Sequence, residues 1–341
     1  MYKNISRTMT VPVLEINATK PIYQQIVDHF LQKIDDGQLK TDDPLPSINL
    51  LANGNNLSRD TVMMAYNELK QQGIITAIPG KGYYIKSTNT KLQKNLFLLF
   101  DELNGFKEDL YQAFMANIPP HFNVDLFFHH FNKGVYEKLI GDNKNAYHKY
   151  IIMPSNMPGT GKPIDELPQD KVILLDQPAD GTNKAYPIIY QSFHEDIFNG
   201  LKQAIERIRN YHQLILLFPG GKEPLGFQTG FTSFCTHHQL KHQVCGAFDP
   251  ENMKPGNLYL CIDNRDLISV VKEMRQKNLT IGQQVGIISI NDTALLEIIE
   301  GGITAISTDF REMGRRLAQM VTNNETGQIK NPSRLIVRNS L

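Results

Sequence analysis

A chain of 341 residues is long enough, at about 150 residues per domain, for two or three domains with a substantial buried core. Lys plus Arg and Asp plus Glu each number 35, so no whole-molecule field advertises a nucleic acid or an anionic membrane, and any charged partner must be met locally. Hydrophobic residues at 41% and charged residues at 21% exclude extensive disorder and the collagen-like and coiled-coil classes.

The first ten residues are polar with no apolar run, and later apolar runs such as 214–218 are far too short to span a bilayer, so a cytoplasmic protein with no membrane partner is expected. From Pro21, apolar residues recur at Ile22, Ile26, Phe30 and Ile34, the stripe of an amphipathic helix that stops at Gly37. Ser47 can cap a second helix over 48–52. Ser58 can cap a third that carries Val62, Ala65, Tyr66 and Leu69 on one face and ends near Gly73. Residues 74–85 are β-rich and interrupted by Pro79-Gly80-Lys81-Gly82, which reads as a hairpin. Three short helices and a hairpin make a winged helix-turn-helix.

After a polar stretch the texture changes. Apolar runs at 96–100, 124–128, 150–153, 172–175, 188–190, 214–218, 244–248, 258–262 and 285–290 alternate with helical segments, the pattern of doubly wound parallel sheets. About 245 residues is long for one such sheet, and 190–194 is where the chain can cross to a second. The fold expected is therefore α/β: a winged helix-turn-helix over 1–87, a linker at 88–94, and a two-lobed domain over 95–341. Lobe 1 takes about 95–190 plus 293–322, and lobe 2 about 191–292 plus 323–341.

In the first domain a short turn separates two helices, the second opening with small polar and cationic side chains, as a helix that presents its N-terminus to base edges and phosphates requires. Ser47, Asn49, Ser58, Arg59 and Thr61, with the wing tip Gly80, Lys81 and Gly82, are the candidate DNA contacts. Each is weak evidence alone, since a Ser N-cap can be merely a cap. In the second domain, ligands of open α/β sheets sit beyond the C-terminal strand ends, where a polyol needs amide or charged partners for its hydroxyls and an aromatic face for its C–H side. The strand ends offer Asp101, Glu102, Asn104, Phe106, His130, Asn132, Ser155, Glu223, Phe248, Asp263, Asn291 and Asp292.

No enzymatic or cofactor chemistry is expected. There is no P-loop, no GxSxG elbow and no GxGxxG after a strand. The pairs His129-His130 and His237-His238, with Cys235 and His242 near the latter, lack the spacing of a closed zinc set, so no metal is expected. Cys235, Cys245 and Cys261 form no CxxC pair, which fits a reducing compartment.

Residues 21–85 resemble the winged helix of the GntR transcription-factor family. The likeness lies in Pro-Ile-Tyr-Gln-Gln-Ile (21–26), Leu-Pro-Ser (45–47), Leu-Ser-Arg-Asp-Thr-Val (57–62), Ala-Tyr-Asn-Glu-Leu (65–69), Gln-Gly-Ile-Ile (72–75) and Pro-Gly-Lys-Gly-Tyr (79–83), in order and at family spacing. Asn49 stands where the family usually has a DNA-contacting arginine, and Met63 where some members place another; Met63 then faces either the core or a thymine methyl. The first 86 residues carry nine Lys and Arg against eight Asp and Glu. From Asn95 onward the chain resembles the sugar-binding domain of the LacI and periplasmic-binding-protein superfamily, through 211–220, 258–264, 285–292, 303–307 and 311–314. By that likeness Asn291 sits where an aspartate contacts ligand, Phe248 where an aromatic stacks, and Ser155 where lobe 1 donates a hydroxyl. Phe227 replaces a common arginine, which argues against an anionic effector.

The pairing is that of arabinose-type repressors. It implies a sequence-specific regulator, a repressor of a sugar-utilisation operon, controlled by a monosaccharide such as L-arabinose or L-fucose. A homodimer is expected, with helices at 106–116 and 310–321 of lobe 1 as the contact face. The alternative is a sugar-binding or sugar-processing protein whose small domain does not read DNA.

Overall fold

The computed structural model, which describes residues 12, 14, 21–89 and 94–341, divides into two compact units. One is Met1–Phe97 with Pro119–Asp125 and Asn145–Lys149, and the other is Leu98–Ile118, Leu126–Lys144 and Tyr150–Leu341. The polar first ten residues and positions 90–93 of the expected linker lie outside the described residues.

Helix α1 (Ile22–Asp35) buries Ile26, Phe30 and Ile34 of the expected stripe together with Val27, whereas Ile22, in the first turn, stays exposed. Ser47 accepts the Leu50 N–H at 3.2 Å and so caps α2 (Ile48–Gly54), and Ser58 accepts the Thr61 N–H at 3.1 Å to cap α3 (Arg59–Gln71). Val62, Ala65, Tyr66 and Leu69 of α3 point into a core where Tyr66 meets Phe30 and Tyr83 edge-on and gives its hydroxyl to the Pro46 carbonyl at 2.7 Å. The wing is β1 (Ile75–Ile78) antiparallel to β2 (Gly82–Ile85). Its tip needs left-handed backbone at Gly80 and Gly82, with φ of +74° and +107°.

The remaining elements form two six-stranded sheets. The first sheet runs β13-β7-β6-β5-β3-β4, from β3 (Lys94–Phe100), β4 (Phe122–Phe128), β5 (Lys149–Ile152), β6 (Val172–Asp176), β7 (Ile188–Tyr190) and β13 (Gln328–Lys330). The second runs β14-β12-β11-β10-β8-β9, from β8 (Gln213–Leu217), β9 (His242–Cys245), β10 (Asn257–Cys261), β11 (Val285–Ile290), β12 (Thr304–Thr308) and β14 (Ser333–Ile336). Within the second sheet only β14 is antiparallel to its neighbour. Connecting helices are α4 (Gly105–Asn117), α5 (Lys133–Asp142), α6 (Gly161–Asp165), α7 (Phe193–Gln203), α8 (Ile205–Ile208), α9 (Leu225–His237), α10 (Asn264–Gln276) and α11 (Phe310–Asn323).

The lobe boundaries need correction. The first crossing, after Tyr190, is where it was expected, but β12 lies in the second sheet, where Thr304 pairs with Ile288. Lobe 2 therefore runs on to Thr308 instead of ending at 292, because the apolar run at 303–307 completes the sheet beside β11. The chain then returns: α11 packs along α4, and β13 pairs with β7 on the edge of the first sheet, so lobe 1 extends to Lys330 and not 322. A third crossing leads to β14 in lobe 2. The two helices α4 and α11 approach closely because Gly314 carries no side chain; a Cβ there would lie 2.3 Å from the Leu110 carbonyl oxygen. Phe310, Met313, Leu317, Met320 and Val321 are all buried on α11, leaving only its other side for any further contact.

Candidate functional site

On the winged helix, Ser47, Asn49, Ser58, Arg59, Gly80, Lys81 and Gly82 are exposed and Thr61 is half-buried. The two serines have a structural task as caps, and the Ser58 hydroxyl also meets the Thr61 hydroxyl at 2.8 Å. Met63 faces solvent rather than the core.

The second constellation is a cleft between the lobes, with a volume of about 300 Å³, the lower end of the range for small-molecule pockets. Eight of the twelve expected residues line it: Asp101, Glu102, Asn104, Phe106 and Ser155 from lobe 1, and Glu223, Asp263 and Asn291 from lobe 2. Ser155, Asp176 and Asn291, all at strand ends, hold φ of +60°, +77° and +67°. Left-handed backbone is uncommon outside glycine; Asp and Asn tolerate it best, and Ser155 is the least usual of the three.

Asp101 is saturated from within. Lys107 forms a buried ion pair with it, the Ser155 hydroxyl donates to its second oxygen at 3.0 Å, and the Glu102 amide donates to its first at 2.6 Å. Its carboxylate therefore organises the cleft floor more than it offers a free acceptor. Asp176 lies beside this pair; burial raises its pKa against the opposing pull of Lys107, and Gln191 donates to it. The Gln191 oxygen in turn accepts the Thr308 hydroxyl at 2.6 Å, which links two of the three crossings. Asn331 joins the third, giving its amide N–H to Tyr190 at 2.8 Å and its side-chain NH₂ to Asp309 at 2.9 Å.

The lobes also touch directly across the cleft. Lys222 of lobe 2 reaches both Glu102 oxygens at 3.1 and 3.2 Å and lies 5.4 Å from the Phe131 ring centre, while Asn156 donates to the Glu223 carbonyl at 3.2 Å. The Glu223 side chain is buried, and its Oε2 has no partner among the described residues. Apolar surface comes from Phe106, stacked on Phe310 at 4.8 Å, and from Phe193, edge-on to Phe227 at 5.0 Å. Phe227 brings no charge, as expected; Arg265 from the first turn of α10 also lines the cleft, as do Lys107, Asp176 and Gln191, none of which the strand-end pattern of the sequence singled out.

Four expected residues do not line the cleft. Asn132 is the N-cap of α5 and accepts the Val135 N–H at 3.2 Å. His130 stacks on Phe128, and Phe248 packs edge-on against Tyr259. Asp292 is held by both Arg338 nitrogens at 2.8 Å. His129 is a core residue: its Nε2 meets the Met153 carbonyl at 3.1 Å, its Nδ1 accepts the Phe131 N–H, and burial lowers its pKa. Among the described residues no three His, Cys, Asp or Glu side chains gather as metal ligands would, and no helix is long and apolar enough to cross a membrane.

Comparison with known proteins agrees with both parts. Residues 22–85 match the family described as bacterial regulatory proteins, gntR family, and residues 200–341 match the periplasmic binding protein-like domain. The HTH-type transcriptional repressor YtrA of Bacillus subtilis is 34% identical over 99 residues, which cover 29% of this chain and 72% of that protein. The mannosyl-D-glycerate transport/metabolism system repressor MngR of Escherichia coli is 36% identical over 83 residues, covering 24% of this chain and only 35% of that relative. The trehalose repressor of Escherichia coli superposes with a TM-score of 0.60 at 16% identity, over 72% of this chain and all of that one, which shows the fold of the body. Fold and comparisons together define a regulatory protein in which a winged helix-turn-helix is joined to a periplasmic-binding-protein-like body. The chain belongs to the gntR family of bacterial regulatory proteins.

Proposed function

We propose that the protein is a cytoplasmic transcriptional repressor of carbohydrate genes, without enzymatic activity, whose hold on operator DNA is set by a monosaccharide bound between the lobes. The observation that carries this reading is the cleft itself. Buried polar groups at strand ends and aromatic faces line a space of sugar size, on a chain whose other domain exposes Arg59 and a wing tip. The names of MngR and the trehalose repressor, a transport/metabolism system repressor and a repressor named for a sugar, support carbohydrate genes as the regulated class. In this reading Ser47, Asn49, Ser58, Arg59, Thr61 and the wing tip meet DNA, and the eight cleft residues with Arg265 surround the ligand. A homodimer pairs with a two-fold operator, and a sugar that favours one lobe arrangement shifts the spacing of the two heads.

Thermal shift against pentoses, hexoses, deoxyhexoses and their phosphates, with L-arabinose and L-fucose included, tests the cleft. A ligand at 100 times its Kd stabilises by about 2.7 kcal/mol. Arg59→Ala is expected to abolish operator binding while leaving that shift intact. Wild-type DNA affinity in this variant refutes the recognition-helix assignment, and a panel without a hit refutes the sugar reading.

A further inference from the structure

We infer that α3 reads the C5 methyl groups of thymine through Met63 and Met64, so that apolar contact, and not a second cation, sets the operator sequence; the inference rests on the DNA-reading proposal above. The core claims one stripe of α3, namely Val62, Ala65, Tyr66 and Leu69. Met63 and Met64 lie off that stripe and are 44% and 53% exposed. Neither belongs to the hydrophobic core of the domain or to the residues packed against it among those described.

Their placement is that of readers. Met63 follows Arg59 by four residues and Met64 follows Asp60 by four, so each stands one turn along from the exposed residues that open the helix. Cations on α3 are few: Arg59 and Lys70, countered by Asp60 and Glu68. A helix of no net charge that offers one guanidinium in its first turn has little to read guanine with twice. The groove edge of a base pair carries one apolar group, the thymine methyl, and methionine is an unbranched, polarizable side chain that can follow its contour. Docking would cover both side chains and remove the exposure that folding leaves.

The test uses the full chain. A duplex selected by the protein from a random library is resynthesised with deoxyuridine replacing thymine at each position in turn, which deletes the methyl and keeps every hydrogen-bonding group. Binding is expected to weaken about fourfold at one or two positions of each half-site, the equivalent of about 0.8 kcal/mol for one buried methyl-sized group. That sensitivity is expected to vanish at one position in Met63→Ala and at a neighbouring one in Met64→Ala, with both variants folded because neither side chain is in the core. Equal binding of the fully uracil-substituted duplex, or uracil sensitivity that persists in both variants, overturns the inference. Failure to select any duplex overturns the DNA-reading proposal itself.

Discussion

Replacing Lys107 with methionine removes the buried cation that pairs with Asp101 in the cleft floor. Lys107 and Asp101 have side chains 8% and 6% exposed, and Asp176 is within electrostatic reach of both. Deleting one partner of a buried ion pair costs about 3–5 kcal/mol, because the remaining charge stays desolvated. At about 2–4 °C per kcal/mol for a body of this size, the melting temperature is expected to fall on the order of 10 °C. The pH dependence has a definite sign. Asp176 has a folded pKa raised by burial, so its contribution is complete below its unfolded value of 3.8 and is lost as pH rises through the folded value. Without Lys107 the cation that restrains this shift is gone, and Lys107→Met is expected to lose more stability between pH 4 and pH 8 than the parent does. Asp101→Asn added to Lys107→Met is expected to recover part of the loss. Melts followed by circular dichroism at both pH values decide the matter. A Lys107→Met protein that melts within about 2 °C of the parent at pH 8, or that gains stability as pH rises, refutes the reasoning.

Gly314→Ala forces α11 away from α4, since its Cβ would meet Leu110, Ala113 and Phe114 within 3 Å, and is expected to cost about 1–3 kcal/mol; Gly141→Ala on α5, with nothing within 4 Å, is expected to hold or raise the melting temperature. Ser58→Ala removes the cap of α3 and is expected to cost about 1 kcal/mol, read by urea unfolding of the intact chain. Glu102→Gln breaks the half-exposed contact with Lys222 and is expected to change stability by less than about 1 kcal/mol while the off-rate of any cleft ligand rises; an unchanged off-rate in stopped flow shows that this contact does not hold the lobes together.

The winged helix was legible nearly residue by residue because its determinants are local. Ser47 and Ser58 announce helix starts, and the four-residue spacing of Ile26, Phe30 and Ile34 announces a buried face, though it also pointed to Ile22, which the first turn leaves exposed. The strands of the body were also visible as apolar runs, but the sheet each joins was not. The run at 303–307 has the same composition whichever lobe it completes, and only its pairing with β11 decides. In the cleft, strand-end polarity led to eight residues. It failed at Asn132 and Asp292, where a cap and an arginine 46 positions away claim the side chain. Lys107 and Arg265 were missed because a cation near the start of a helix reads as surface until the partner strands are in place. Asp176 had a usable mark, an acid ending an otherwise apolar strand.

The triple crossing between sheets also bears on synthesis. The apolar side of α4 (Gly105–Asn117) is closed by α11, which begins at Phe310, nearly 200 residues later. At about 5–20 residues per second, a ribosome needs roughly 10–40 s to supply the missing helix. Lobe 1 cannot finish folding as it emerges, and in that interval Leu110 and Phe114 are open to chaperones or to another nascent chain. Expression at lower chain density is expected to favour the native pairing.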